Sequence, residues 1–274
     1  MLPKMTPSVR WTMIAVELLC AFCVGARFGV SFGMIYQFQE TVYELPKTEN
    51  AKVSFKRLLH LQPSYGQFQQ DLWVALATGH NKRNGYYVDV GSADGVVISN
   101  TKLLDEMGWK GVCIDPFPTH MESRTCQVVR QPVFSESGRK VQFRAAGVSG
   151  GIDSTLGKHR DEISAAPLVD FVTATLDEIL DKAGAPHWID YMNIDVEGAE
   201  YDALRGLSLD RYNVGALTIE HNYEAGKRDL IRQLMESKGY VRVRSWEVDD
   251  WYVHRNLASQ YRTFINYSTR ALIF

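Results

Sequence analysis

Tyr87-Val88-Asp89-Val90-Gly91-Ser92-Ala93-Asp94-Gly95 reads as a short buried strand that breaks into a glycine turn carrying acidic residues. A second apolar run, Gly111-Val112-Cys113-Ile114, follows the turn and ends in Asp115. A strand, a tight turn, a helix and an acid-tipped second strand make a nucleotide-binding half-site. Glycines let a backbone approach a ligand closely, and Asp115 can accept hydrogen bonds from both hydroxyls of a ribose. That narrows the expected ligand to something built on adenosine.

The rest of the chain continues the alternation. Apolar periodicity predicts a helix over Gln67 to Ala77, the first strand over Tyr86 to Val90, and a helix from Ser99 to Met107 closed by Gly108. Val112 to Ile114 is the second strand, and Pro116 and Pro118 prevent its continuation. Gln127 to Phe134 reads as a third strand that turns at Ser137-Gly138 into Lys140 to Arg144 as a hairpin addition. The glycine-rich stretch from Ala145 to Val169 reads as a loop of the kind that shapes an acceptor site. Then come a helix from Thr175 to Ala183, a strand from Ile189 to Ile194, a helix from Glu200 to Gly206 and a strand from Ala216 to Ile219. An amphipathic helix from Arg228 to Lys238 and two strands, Tyr240 to Trp246 and Asp250 to His254, complete the pattern.

Alternating strands and helices predict an α/β, doubly wound, mainly parallel sheet with helices on both faces. The last two strands lie too close in sequence for a parallel crossover, so they form an antiparallel hairpin. This is the Rossmann-like architecture of class I methyltransferases; a simple dehydrogenase sheet does not end this way.

Composition limits the function classes. A net charge of −2 and 45% hydrophobic residues describe an ordinary globular chain with no nucleic-acid surface. The four cysteines, Cys20, Cys23, Cys113 and Cys126, show neither a zinc pattern nor a disulfide framework, and Cys113 and Cys126 read as buried small hydrophobes. The run from Trp11 to Tyr36 is largely apolar and follows Lys4 and Arg10. It reads as an uncleaved signal anchor with the domain on the non-cytosolic side. The alternatives are a signal peptide cleaved after Ala26, giving a secreted protein, and a buried N-terminal helix. The expected division is a cytosolic tail and membrane segment over 1–36, a stalk over 37–62 and a catalytic domain over 63–274. Asn266-Tyr267-Ser268 is an N-glycosylation sequon, relevant only in a secretory lumen.

Asp89 precedes Gly91 by two residues, and the chain lacks the G-x-G-x-x-G of dinucleotide dehydrogenases. A carboxylate at this place repels a pyrophosphate and suits a cationic amino-acid tail. S-adenosylmethionine has such a tail, and NAD does not; an NAD-dependent oxidoreductase is disfavoured. The alternative for Asp89 is a helix or turn cap.

Ile189-Asp190-Tyr191-Met192-Asn193-Ile194-Asp195-Val196-Glu197-Gly198-Ala199-Glu200, taken with Val88 to Gly95, resembles the FkbM family of S-adenosylmethionine-dependent methyltransferases. Tyr65-Gly66-Gln67 with Gln70-Asp71, Ser99-Asn100-Thr101, Trp109-Lys110-Gly111 before Asp115-Pro116, Thr218-Ile219-Glu220-His221-Asn222 and Asp249-Asp250-Trp251-Tyr252-Val253 extend the likeness over Pro63 to Val253. The resemblance implies methyl transfer to an oxygen, often a hydroxyl of a sugar or a secondary metabolite. The expected donor site is Asp89, Gly91, Ser92, Ala93, Asp94, Gly95, Asn100, Asp115 and Pro116.

The ends of the parallel strands open into one crevice. A methylated hydroxyl must lose its proton as it attacks, and His221 is the candidate base. Asp195 or Glu220 orients the imidazole or binds the acceptor, and Glu197 and Asn222 are candidate acceptor-binding residues. The competing reading of Asp195-Val196-Glu197-Gly198 is a tight strand-to-helix turn, with Glu197 or Glu200 serving the helix N-terminus. Asp195, Glu197 and Asn222 form a donor set for a hard divalent cation, but the spacing does not demand one, and no metal is expected. Trp246, Trp251 and Tyr252 read as packing. A second function class is a membrane-anchored adaptor that keeps the fold without catalysis; the retained Asp89, Gly91, Gly95 and Asp115 favour an enzyme.

Overall fold

In the computed structural model the described residues are 64–78, 82–157 and 160–258. The apolar run at 11–36, the stalk, Cys20, Cys23 and the sequon lie outside them. Among the described residues no helix is long and apolar enough to cross a membrane.

The elements are α1 (Gln70–Ala77), β1 (Tyr86–Val90), α2 (Lys102–Glu106), β2 (Lys110–Ile114), β3 (Gln127–Val129), β4 (Lys140–Arg144), β5 (Gly151–Ile152) and β6 (Leu168–Val172). They continue with α3 (Leu176–Ala183), β7 (Trp188–Ile194), α4 (Glu200–Arg205), β8 (Asn213–Glu220), α5 (Ala225–Ser237), β9 (Tyr240–Trp246) and β10 (Asp249–His254). The main sheet has the order β3-β2-β1-β7-β8-β10-β9. Its neighbours from β3 to β8 pair in parallel. β10 is antiparallel to both β8 and β9, so the terminal hairpin slots its second strand between them.

Side chains alternate across each strand and sort into two apolar layers. Val88, Val90, Val112, Ile114, Met192 and Leu217 pack with α3, α4 and α5 on one face. Tyr87, Cys113, Tyr191 and Trp251 pack with α1 and α2 on the other. Each fully buried Val, Leu, Ile or Phe of these layers contributes about 1.5–3 kcal/mol. Helix α3 shows how local sequence bounds an element. The Thr175 hydroxyl accepts the Glu178 amide at 3.2 Å, and Gly184 ends the helix in the left-handed region at φ 64°.

Four expectations need correction. Lys140 to Arg144 does not extend the main sheet; β4 lies between β5 and β6 in a separate antiparallel sheet. The supposed loop from Ala145 to Val169 supplies β5 and the start of β6, and the third strand, expected to reach Phe134, stops at Val129. Finally, Cys113 and Cys126 form a disulfide. Cys113 stands opposite Val128 in the β2–β3 register, which brings Cys126 beside it. Linear spacing does not show that adjacency. In the chain-entropy view a loop of this size stabilises by about 3 kcal/mol.

Candidate active site

The strand order reverses at β1, with β2 on one side and β7 on the other. A crevice opens at such a switch point beyond the strand ends. The turn after β1 is tied to both neighbours. Gly91 and Ser92 amides donate to the Ile114 carbonyl at 2.8 and 3.1 Å, and the Asp195 amide donates to Val90 at 2.9 Å. Gly91 sits at φ 86°, and a Cβ there would run into the Asp195 carbonyl. A Cβ at Gly95 would press on the His120 carbonyl and the Met121 sulfur. Both glycines are therefore required by protein packing, whereas the sequence suggested approach to a ligand.

Asp115 Oδ2 accepts the Ala93 amide at 3.0 Å and Oδ1 the Phe117 amide at 2.7 Å. The carboxylate thus fixes the loops after β1 and β2 and keeps further lone pairs for a ribose. Burial nevertheless raises its pKa. Asp94 accepts the Val96 and Val97 amides at 2.9 Å and meets His120 Nδ1 at 2.6 Å.

Asp89 is deeply buried. Thr101 Oγ1 donates to it at 2.6 Å and Asn193 Nδ2 at 3.1 Å. Burial pushes its pKa up, and the nearby Arg124 guanidinium opposes this. Arg124, a loop residue with no signal in the sequence, reaches Asp105, Gly95, Ser99, Tyr87 and Thr101. Asn100 Nδ2 donates to Asn193 Oδ1 at 3.1 Å, and Thr218 Oγ1 donates to the same oxygen at 2.8 Å.

Two adjoining cavities occupy the crevice. The larger, with about 450 Å³ of space that includes open solvent, is bordered by Gly91, Ala93, Asp115, Pro116, Gln131, Phe143, Val148, Asp195 and Glu197. The smaller, with about 350 Å³ on the same measure, is bordered by Asp89, Ser92, Asp94, Ile98, Asn100, Asn193 and Asp195. They share Gly91, Ala93, Val148 and Asp195. Ser92 and Asn100 border this smaller cavity; their Oγ and Oδ1 are buried with no hydrogen-bond partner among the described residues, and Asn100 Oδ1 faces Gly66. Buried polar atoms cost free energy unless satisfied. The free lone pairs of Asp115 and the Ser92 hydroxyl are groups of the kind that a ribose-bearing ligand would need.

Asp195 follows the last residue of β7, and β8 ends in Glu220; Asp195 borders both cavities and Glu220 neither. Oxygens of Asp195, Glu197 and Glu220 lie within 4.8 Å of one another. Asn222 Nδ2 donates to Glu220 at 2.7 Å and to Glu197 at 3.3 Å. Burial, then the Glu197 charge, pushes the Asp195 pKa well up. Burial, then Asp195, does the same for Glu220. Asp195 and Glu220 are hydrogen-bonded, an arrangement that disfavours ionising both carboxyls at once. The three carboxylates are also a donor set for a hard divalent cation. Glu200 instead accepts the Val196 and Gly198 amides at 3.1 and 2.8 Å, which is the helix-terminus role weighed from the sequence.

His221 is not brought to the crevice. Like Glu220 and Asn222 it borders neither cavity, but unlike them it makes no hydrogen bond with the Asp195 and Glu197 carboxylates, and it is 3% exposed. Its Nδ1 accepts the Tyr223 amide at 3.0 Å, and its Nε2 lies 3.8 Å from Asp250, which Arg228 and Arg242 hold at 2.7 and 3.0 Å. Burial lowers its pKa. The strand end is shared with Glu220, but successive side chains point to opposite sides.

The family model described as Methyltransferase FkbM domain matches residues 89–242, more than half of the 274. No curated protein matches the chain.

Proposed function

The chain belongs to the FkbM methyltransferase family, and from that premise we propose that it is an S-adenosylmethionine-dependent O-methyltransferase acting on a hydroxyl of a glycan or small metabolite. The observation that carries the donor reading is the crevice at the end of β1, bordered by Gly91, Ser92 and Ala93 on one side and by Asp115 on the other. When bound, S-adenosylmethionine supplies an electrophilic methyl group on a sulfonium. The chain's own residues do the rest. Asn100 and Ser92 hold the amino-acid end, and Asp115 holds the ribose. Val148, on the inserted sheet's connection, borders both cavities and excludes water. The base is the Asp195–Glu220 pair in place of His221. A carboxylate whose pKa is raised by burial is a better proton acceptor than an exposed one. Asn222 and Glu197 orient the acceptor or the pair.

The Cys113–Cys126 disulfide supports a domain exposed to an oxidising, non-cytosolic compartment. It agrees in sense with the anchor proposed for Trp11 to Tyr36.

Calorimetric titration of the full-length chain with S-adenosylmethionine and its demethylated product tests the donor. Ser92→Ala should weaken binding while leaving thermal stability unchanged, because the hydroxyl gives up no protein partner. Tight binding of NAD with no affinity for the methyl donor would sink the reading. A screen of sugars and small alcohols then supplies an acceptor. With it, Asp195→Asn and Glu220→Gln should each slow turnover by about 10²–10⁴-fold.

A further inference from the structure

We propose that Arg124 is the positioning residue of the methyl-donor loop, and that the Cys113–Cys126 disulfide holds it in place, so that donor affinity follows the oxidation state of this bond. The inference rests on the donor reading above. The Arg124 side chain is fully buried. Its Nε donates to its counter-ion Asp105 at 2.5 Å. Nη1 donates to the Gly95 carbonyl at 3.1 Å and to Ser99 Oγ at 3.2 Å, so both ends of the 95–99 segment hang on one guanidinium. Nη2 donates to Thr101 Oγ1 at 2.6 Å, and that hydroxyl donates to Asp89. The 92–100 stretch that these bonds shape borders the smaller cavity.

Arg124 lies on the loop between Asp115 and β3, two residues before Cys126. The disulfide joins that point to Cys113 in β2, two residues before Asp115. One covalent link therefore fixes the origin of the guanidinium relative to the strand that carries the ribose acid. Cys113 is fully buried, whereas Cys126 is half-buried, so Cys126 is the sulfur an external thiolate reaches. A dithiol attacks Cys126 Sγ and the S–S bond breaks. Two electrons and two protons pass to the two cysteines, and the dithiol closes to a cyclic disulfide. The freed segment then has conformations to lose, and the donor must pay that ordering cost on binding.

The test compares the oxidised full-length chain, the same chain reduced with dithiothreitol, and a Cys113→Ala/Cys126→Ala chain, all shown folded by circular dichroism. Two readouts are taken: calorimetric affinity for S-adenosylhomocysteine, and amide exchange of 95–101 without ligand. Reduction and the double substitution should each weaken binding about tenfold, the size of one lost charge-assisted hydrogen bond, and speed exchange in that segment. Arg124→Lys keeps the charge beside Asp105 but loses the fork. It should weaken binding in the oxidised chain, and reduction should add little to that loss. Equal affinities and equal exchange in the oxidised and reduced chains would overturn the inference, as would fully additive effects of reduction and Arg124→Lys. If no form binds the ligand, the donor reading fails and the affinity claim with it, while the ligand-free exchange still decides whether the disulfide holds the Arg124 loop.

Discussion

Asp249 accepts the Gln70 amide at 2.7 Å in the interior, and burial lifts its pKa from 3.8 to about 6. The folded chain therefore binds more protons than the unfolded chain between those values, and the stability contributed by this group falls as pH rises through them. At 1.36 kcal/mol per pH unit the loss is about 3 kcal/mol. Urea unfolding at a series of pH values should show Asp249→Asn flatter than the parent over this range; parallel curves would refute the assignment. Gly91→Ala should lower stability without any ligand present, by about 1–3 kcal/mol for the left-handed backbone alone, with the clash on Asp195 in addition. An unchanged melting temperature with lost donor binding would restore the ligand-approach role. His221→Ala should leave turnover within a few-fold but destabilise the end of β8, where the imidazole accepts the Tyr223 amide. A drop of about 10² or more in rate at unchanged stability would return the base assignment to His221. The sequence could bring Asp195, Glu220, Glu197 and Asn222 to one place because strand ends converge in this fold. It could not show that His221, next in line, turns away, because that depends on which side of β8 each residue faces.

At the level of elements, the least legible segment was the one between β3 and α3. Glycines at 147, 150, 151 and 157 suggested a loop, yet β5 needs only Gly151 and Ile152 to pair with β4. Such short strands carry no periodicity, so only their partners reveal them. The small sheet is held to the crevice by aromatics. Phe117, after β2, packs on Phe143 and Phe171 at centroid distances of 5.8 and 5.3 Å. Phe143 also borders the larger cavity. Phe143→Ala should cost about 3 kcal/mol and weaken donor binding, read by thermal unfolding and by calorimetry. Loss of stability with unchanged affinity would separate the small sheet from the donor site. The disulfide escaped notice for a related reason: the residues that meet are 13 apart in sequence and become neighbours only once β3 lies beside β2.

At the scale of the whole molecule the alternation of strands and helices was legible, and so was the antiparallel terminal hairpin. Strand and helix periods differ, and the short link between the last two strands allows only one sense of pairing. The sequence did not say where the hairpin inserts. β10 is buried along nearly its whole length, with Trp251, Tyr252 and Val253 inaccessible to solvent. Trp251 packs on Trp73 of α1 and Tyr252 in the opposite apolar layer, while β8 and β9 pair along the two edges of β10. A chain ending before Asp249 should fail to give soluble, cooperatively unfolding protein, as judged by sedimentation and circular dichroism; a soluble truncated form with a sharp transition would disprove this. The placement also bears on how the protein is made. While a ribosome is still translating, β8 has been synthesised but its free edge has no neighbour, since the strand that covers it is the last one described. The nascent polypeptide must therefore wait, with an adhesive apolar ribbon open to the crowd, until β9 and β10 have been made. A holding chaperone at that moment is the helper such a topology calls for.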